Sequence, residues 1–167
     1  MGPLAAEHMD RLLAMLQGEG DQLPEIAEAI GRIGPVNGSV VPNIMDRMES
    51  VGWGACMEAC IAALEAFGPK SEGSTDLLCR FIREWKADAK GMTRMVRVLK
   101  AIGPGAKNAE KTLRDLLALT YHHRPGSYTP ENAADWAEMK KTTAAALEAI
   151  TGQKVAVTNE VQSGWRR

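Results

Sequence analysis

The stretch Ala29-Ile30-Gly31-Arg32-Ile33-Gly34-Pro35 decides the fold, because the chain repeats its pattern of an apolar pair, two variable residues, an apolar residue, glycine and proline. The pattern returns at residues 63–69 and 98–104, so that the glycines lie 34 and 35 residues apart. An eroded copy without the proline follows at residues 146–152, after an interval of 49 residues. A fixed period in this range is typical of supersecondary units stacked in a row.

The composition favours a single helical domain over residues 1–167. The chain is 45% hydrophobic but holds only eight aromatic residues, which favours closely packed helices over a β-sandwich. No apolar run approaches the ~18 residues of a membrane span, and Met1-Gly2-Pro3-Leu4 lacks the charged start and apolar stretch of a signal peptide. The odd count of three cysteines argues against a disulfide framework and favours a reducing, cytoplasmic compartment.

Apolar residues at helical spacing divide the chain into helix pairs. Gly34 and Pro35 end one helix with a left-handed cap, while Ser39, Ser74 and Thr129 stand where capping residues are expected. Within the pairs, we expect helices at about 22–33 and 39–48, 55–67 and 74–86, and 91–102 and 106–120. The full division is a half-repeat at 4–17, repeats at about 22–50, 55–86 and 91–120, an inserted loop at 121–129, a final helix at 130–150 and a C-terminal tail at 151–167.

Aligning the units on their glycines places apolar residues in the same register of each second helix. These positions are Ile44, Leu78 and Leu113, ten residues after the glycine, and Met48, Ile82 and Leu117, fourteen residues after it. We expect both sets to be buried, since the stack of helix pairs would form the core.

The repeated phrase resembles the short bacterial HEAT-like repeat, a type also found in phycobilisome lyases. That repeat reads roughly Ala-Leu-x-x-Ile-Gly-Pro, then a short loop, then an amphipathic helix that often opens with a pair such as Val41-Pro42. Residues 146–153, followed by Trp165-Arg166-Arg167, are similar to the terminal repeat of many bacterial HEAT proteins. The resemblance covers about residues 4–153 and implies an all-α fold, a right-handed α-solenoid of HEAT-like helix pairs of the armadillo type. The family has no shared active site.

Few residues suggest chemistry. Cys56 and Cys60 are spaced to share a metal on one helix face, but we interpret them as core packing because that face is apolar and a structural zinc site needs four ligands. His122, His123 and Tyr128 lie in the inserted loop; we interpret the two histidines as ordinary solvated loop residues and keep all three as candidate binding residues. Since no phosphate-binding loop, nucleophile motif, His-Glu-x-x-His motif or paired-carboxylate constellation is present, we predict no enzyme, metal or cofactor.

Charge is distributed unevenly along the chain. Residues 1–79 hold 12 acidic and 4 basic residues, whereas residues 80–114 hold 10 basic and 3 acidic residues. Cations of the second helices would face the concave side of a solenoid, where they form a candidate basic strip for an acidic partner. The strip consists of Arg80, Arg83, Lys107, Lys111 and Arg114.

A solvated face with internal ion pairs is the alternative interpretation of these charges. Asp46, Arg80 and Asp115 each stand twelve residues after a repeat glycine. Side chains at this shared position could form an ionic ladder between adjacent second helices. Such a ladder would fix how these helices are aligned with each other more than it would add to the stability of the fold.

The leading functional hypothesis is a non-enzymatic scaffold that binds another protein or protein segment, including an acidic one, through its concave face and the 121–129 loop. One alternative is a polyanion or nucleic-acid binder like the HEAT-repeat alkylpurine glycosylases. The acidic first half and the few aromatic residues disfavour nucleic acid. The other alternative, a chromophore-handling protein like the phycobilisome lyases, rests on fold analogy alone.

Overall fold

The fold is described from a computed structural model, which defines residues 3–84, 89–119 and 130–157. These residues form helices, turns and bends, with no strand among them. The α-helices are α1 (Pro3–Leu16), α2 (Leu23–Ile33), α3 (Val40–Ser50), α4 (Ala55–Phe67), α5 (Thr75–Glu84), α6 (Ala89–Ile102), α7 (Glu110–Ala118) and α8 (Pro130–Thr151). Two 3₁₀ segments, Gly68–Ser74 and Gly103–Ala109, precede α5 and α7. The all-α prediction is confirmed, and every predicted helix has a counterpart.

One helix begins later than expected. The sequence predicts a helix from about residue 106, but α7 begins at Glu110 because residues 103–109 form the second 3₁₀ segment. The backbone at Ala106 (φ −83°, ψ 25°) departs from helical geometry just after Pro104 and Gly105. As a result, Lys107 does not share an α-helical face with Lys111 and Arg114.

The glycine of the repeated phrase has a positive φ angle in all four copies. The φ angle is +84° at Gly34, +56° at Gly68, +69° at Gly103 and +71° at Gly152. This region is open to glycine and costly for residues with a Cβ atom. At Gly34 the backbone N–H donates to the Ile30 carbonyl at 2.9 Å, which closes the end of α2. The repeated phrase therefore encodes a repeated turn.

Of the predicted serine caps, Ser39 is the N-cap residue of α3, although its side chain forms no capping hydrogen bond. Ser39 precedes α3, but its hydroxyl and its backbone N–H both donate to Oδ1 of Asn37, at 2.7 and 3.1 Å, so an Asn-initiated turn leads into the helix. Ser74 is buried, and its hydroxyl donates to the Ser71 carbonyl within the first 3₁₀ segment. The predicted cap Thr129 lies outside the described residues, whereas Pro130 opens α8 as expected.

The helices pack in two series. Contacts join α2 to α4, α4 to α6 and α6 to α8, which we call the first-helix row. In the second-helix row, α3 contacts the first 3₁₀ segment, and α5 contacts the second 3₁₀ segment and α7. Helix α1 packs against α2 and α3 at one end.

The predicted core register is confirmed at five of its six positions. Ile44, Leu78 and Leu113 are completely buried, as are Met48 and, within 2%, Ile82. Leu117 is only partly buried, because it belongs to the last turn of α7, which ends one residue later.

None of the helices in the described ranges has the length and apolarity to cross a membrane.

Candidate binding surfaces

Two of the predicted strip cations connect neighbouring second helices. Arg80 of α5 forms an ion pair with Glu49 of α3, and its guanidinium lies 5.5 Å from the centroid of the Phe81 ring. Arg83 donates from Nη1 to Oγ1 of Thr112, on α7, at 3.0 Å. Both cations therefore take part in contacts between helices of this row.

The other strip cations remain solvated. Lys111 pairs with Asp115 at 3.0 Å and Arg114 with Glu110 at 2.8 Å, each one turn along α7. Exposed pairs at this spacing contribute about 0–1 kcal/mol to stability. Lys107 is exposed in the second 3₁₀ segment and has no ion pair within the described part of the chain. Apart from Lys107 and Arg83, the strip cations are compensated by carboxylates.

The proposed ladder of Asp46, Arg80 and Asp115 has no counterpart among the ion pairs of the described residues. Arg80 pairs with Glu49, one turn beyond Asp46 on α3, and Asp115 pairs with Lys111 of its own helix. The alignment located the right helices, but it could not give the rotation of each helix about its axis.

Cross-helix ion pairs are concentrated instead in the first-helix row, around α6. All four exposed residues of this helix are cations: Lys90, Arg94, Arg97 and Lys100. Arg94 pairs with Glu58 of α4 at 3.1 Å. On the other side, Lys90 pairs with Asp135 at 3.6 Å and Arg97 with Glu138 at 3.9 Å, both on α8. The exposed side of α6 is thus entirely cationic, and the helices on either side of it, α4 and α8, supply carboxylates.

A surface groove of about 520 Å³ lies where α4, α6 and α8 come together; we call it the α6 groove. It is lined by Glu65 of α4, by Arg97, Lys100 and Ala101 of α6, and by Glu138, Lys141, Thr142 and Ala145 of α8. Lys100 and Lys141 are exposed, and the described residues provide neither with a carboxylate partner. The groove is therefore the place in the first-helix row where cations of two helices remain available.

The sequence analysis missed this surface, although its signal is present. Cations at positions 90, 94, 97 and 100 follow helical spacing, and no acidic residue interrupts them within α6. The second helices were the expected binding surface because these usually line the concave face of a solenoid.

The cysteines pack largely as expected. Cys60 is completely buried and Cys79 is 4% exposed, whereas Cys56 is only partly buried. Burial, and to a smaller extent the neighbouring Cys56 thiol, raises the pKa of Cys60 to about 12. Burial also raises the pKa of Cys79, although a hydrogen bond with Thr112 opposes the shift. Both thiols are therefore protonated near neutral pH.

Two further features bear on the predicted sites. His122, His123 and Tyr128 of the inserted loop lie outside the described residues. Within the described ranges, no three side chains of His, Cys, Asp or Glu are grouped so that they could hold a metal ion.

Comparison with protein-family models, with curated proteins and with solved structures finds no significant match for this chain.

Proposed function

We propose that this protein is a non-enzymatic scaffold that binds another protein, and that its helix pairs form a right-handed α-solenoid of the HEAT-like type. The four positive-φ glycines of the repeated phrase and the packing of α2 on α4, α4 on α6 and α6 on α8 support the solenoid arrangement. Repeats that contact mainly their neighbours leave long helix surfaces open to a partner. The same architecture would suit a binding role in a reducing, cytoplasmic compartment, where three free cysteines persist.

The observation that carries the proposal is the α6 groove. It spans three successive helices and offers Lys100 and Lys141 without carboxylate partners. The second-helix row, which would form the concave side, supports binding less well, because Arg80, Lys111 and Arg114 already have carboxylate partners. The 121–129 loop stays within the proposal as a candidate binding segment, on the evidence of the sequence alone.

A protein segment suits the groove better than a nucleic acid does. Glu65 and Glu138 line it beside the cations, and Glu58 flanks α6 on the α4 side. A continuous phosphate backbone would meet these carboxylates, and the lining holds no aromatic ring on which a base could stack. A lyase-like role has less support, because two of the three cysteines, Cys60 and Cys79, are buried thiols with raised pKa values, which leaves only the partly buried Cys56 as an accessible thiol.

Partner capture with two charge-reversed variants tests the proposal. Arg97→Glu/Lys100→Glu alters the α6 groove, and Lys111→Glu/Arg114→Glu makes the matched change on α7. Partners from the native host should be captured by the wild type and the α7 variant but lost by the α6 variant. Circular dichroism should show equal helicity in all three proteins. Capture that is insensitive to both changes, or a turnover screen that yields a substrate, would contradict the proposal.

A further inference from the structure

We propose that the α6 groove recognises an isolated acidic side chain of its protein partner, held between Lys100 of α6 and Lys141 of α8. This inference rests on the proposed scaffold function and names the chemistry that its surface selects.

The cations along α6 and α8 differ in whether a carboxylate of the protein already pairs with them. Lys90, Arg94 and Arg97 already have carboxylates from α8 or α4 within 3.1–3.9 Å. Lys100 and Lys141 line the same groove from two different helices, and no carboxylate within the described ranges pairs with either. An incoming carboxylate would therefore find two ammonium groups that need not first break an ion pair.

The neighbouring lysine of α8 shows the difference between a structural and an available cation. Lys140 is partly buried and donates from Nζ to the Leu117 carbonyl at 2.9 Å, which ties α8 to the end of α7. Lys141 is exposed and lies in the groove lining instead. Of these two adjacent lysines, Lys140 joins two helices of the protein, and only Lys141 is positioned to contact a ligand in the groove.

The shape of the groove fits a short side chain and its backbone. Its volume of about 520 Å³ is within the range of sites for small ligands, roughly 300–1,000 Å³. Ala101, Ala145 and Thr142 contribute small side chains to the lining. The methyl groups of these residues can contact the methylene stem of an aspartate or glutamate while its carboxylate reaches the lysines.

The net charge of the groove lining limits the number of carboxylates that a ligand can place there. Three cations and two carboxylates line the groove, and Arg97 and Glu138 compensate each other. Lys100, Lys141 and Glu65 then remain, with a net charge of one positive unit. One ligand carboxylate neutralises this charge, whereas a run of anions would face Glu65 and Glu138. The groove therefore selects an acidic residue among neutral neighbours.

The test is an NMR titration of the full chain with blocked pentapeptides. The probe is acetyl-Ala-Ala-Glu-Ala-Ala-amide, and its control carries glutamine in place of glutamate. We expect binding in the millimolar range, reported by the methyl signals of Ala101, Ala145 and Thr142, and at least about fivefold weaker binding of the glutamine peptide. The affinity for the glutamate peptide should fall as sodium chloride rises from about 50 to about 500 mM.

Matched double variants locate the site. Lys100→Ala/Lys141→Ala should lose binding of the glutamate peptide, by about tenfold or more if each lysine contributes threefold to fivefold. Lys107→Ala/Lys111→Ala removes two exposed lysines of the second-helix side and should leave binding unchanged. Since the first comparison uses two peptides on the wild type, the proposal stays testable even if a variant folds poorly.

Several outcomes would overturn the inference. These are equal binding of the glutamate and glutamine peptides, unchanged binding by the Lys100→Ala/Lys141→Ala variant, or tighter binding of a twelve-residue oligothymidylate at the same methyl groups. The first two outcomes leave the scaffold proposal standing, because that proposal is tested separately by the partner capture and the turnover screen described above.

Discussion

Trp53 and Gly91 are in direct contact, with the indole ring lying against the backbone at the start of α6. A Cβ atom on Gly91 would lie 2.7 Å from Cη2 and 2.9 Å from Cζ2 of the ring. Gly91 is buried, and Trp53 packs against the core from the turn between α3 and α4. A side chain at this helical position would displace the Trp53 ring, so packing favours glycine here.

Replacing Gly91 by alanine should destabilise the protein, although alanine is the better helix former. Overpacking costs about 1–3 kcal/mol, which exceeds the gain of about 1 kcal/mol in helix propensity. We expect a net loss of about 1 kcal/mol in the free energy of unfolding, measured by urea denaturation. In a Trp53→Leu background the sign should reverse, because the ring that obstructs the methyl group is gone.

The matched control is Gly73→Ala. A Cβ atom there would meet nothing within 4 Å, and the backbone φ angle is not positive. Its effect should stay within about 0.5 kcal/mol. If Gly91→Ala were stabilising in the wild-type background, the Trp53 contact would not constrain the helix.

The repeat glycines should be needed for their backbone conformation rather than for space. A Cβ atom on Gly34 or Gly103 would meet nothing within 4 Å, yet φ is +84° and +69° at these residues. Gly34→Ala and Gly103→Ala should each lower the free energy of unfolding by about 1–2 kcal/mol, measured by thermal or urea denaturation. Gly38→Ala, in open space without a positive φ, should have little effect. Equal effects at all three positions would contradict the conformational explanation.

These glycines also show how much of the fold could be predicted from the sequence. The repeated phrase determined the helix order and the buried register of Ile44, Leu78 and Leu113, because spacing along a helix fixes which residues share a face. It did not reveal the 3₁₀ segments, since Gly103-Pro104-Gly105 is equally typical of a loop.

The candidate surfaces were harder to predict, because ion pairs depend on how each helix is rotated and offset against its neighbours. Arg80 reaches Glu49 rather than Asp46, a difference of one helical turn that no alignment of repeats can resolve. Lys100 and Lys141 are 41 residues apart in sequence and share a groove only because α6 packs on α8. Composition could identify the cationic segment, but only packing shows which of its charges lack a partner.

Alkaline pH should weaken the fold through Cys60. An unfolded thiol ionises near pH ~8.5, whereas burial raises the pKa of Cys60 in the folded protein to about 12. Between these values the unfolded state releases a proton that the folded state retains, so the free energy of unfolding falls as pH rises. Below pH ~8.5 the thiol is protonated in both states, so the stabilisation from burying the neutral Cys60 thiol is fully present.

A Cys60→Ala variant isolates the effect from other titrating groups. At pH 7 the variant should be less stable than the wild type by about 1 kcal/mol, since a small buried group is lost. That difference should shrink and then change sign as pH rises from 7 to about 10, because only the wild type loses the contribution of the thiol, which amounts to about 2 kcal/mol by pH 10. Parallel urea denaturation curves at each pH provide the measurement. A difference that stays constant across this range would show that Cys60 does not titrate differently in the two states.

Lys140 and Lys141 should separate stability from binding. The Lys140 ammonium donates to the Leu117 carbonyl at 2.9 Å in a partly buried site, so Lys140→Met keeps the aliphatic stem but removes the donor. We expect the free energy of unfolding to fall by about 1 kcal/mol, measured by urea denaturation, while binding of the glutamate peptide is retained. Lys141→Met, one residue on, should leave stability within about 0.5 kcal/mol and weaken peptide binding threefold to fivefold. If both variants lost stability equally, or if Lys140→Met weakened the peptide as much as Lys141→Met, the two lysines would not have the separate roles that their positions on α8 indicate.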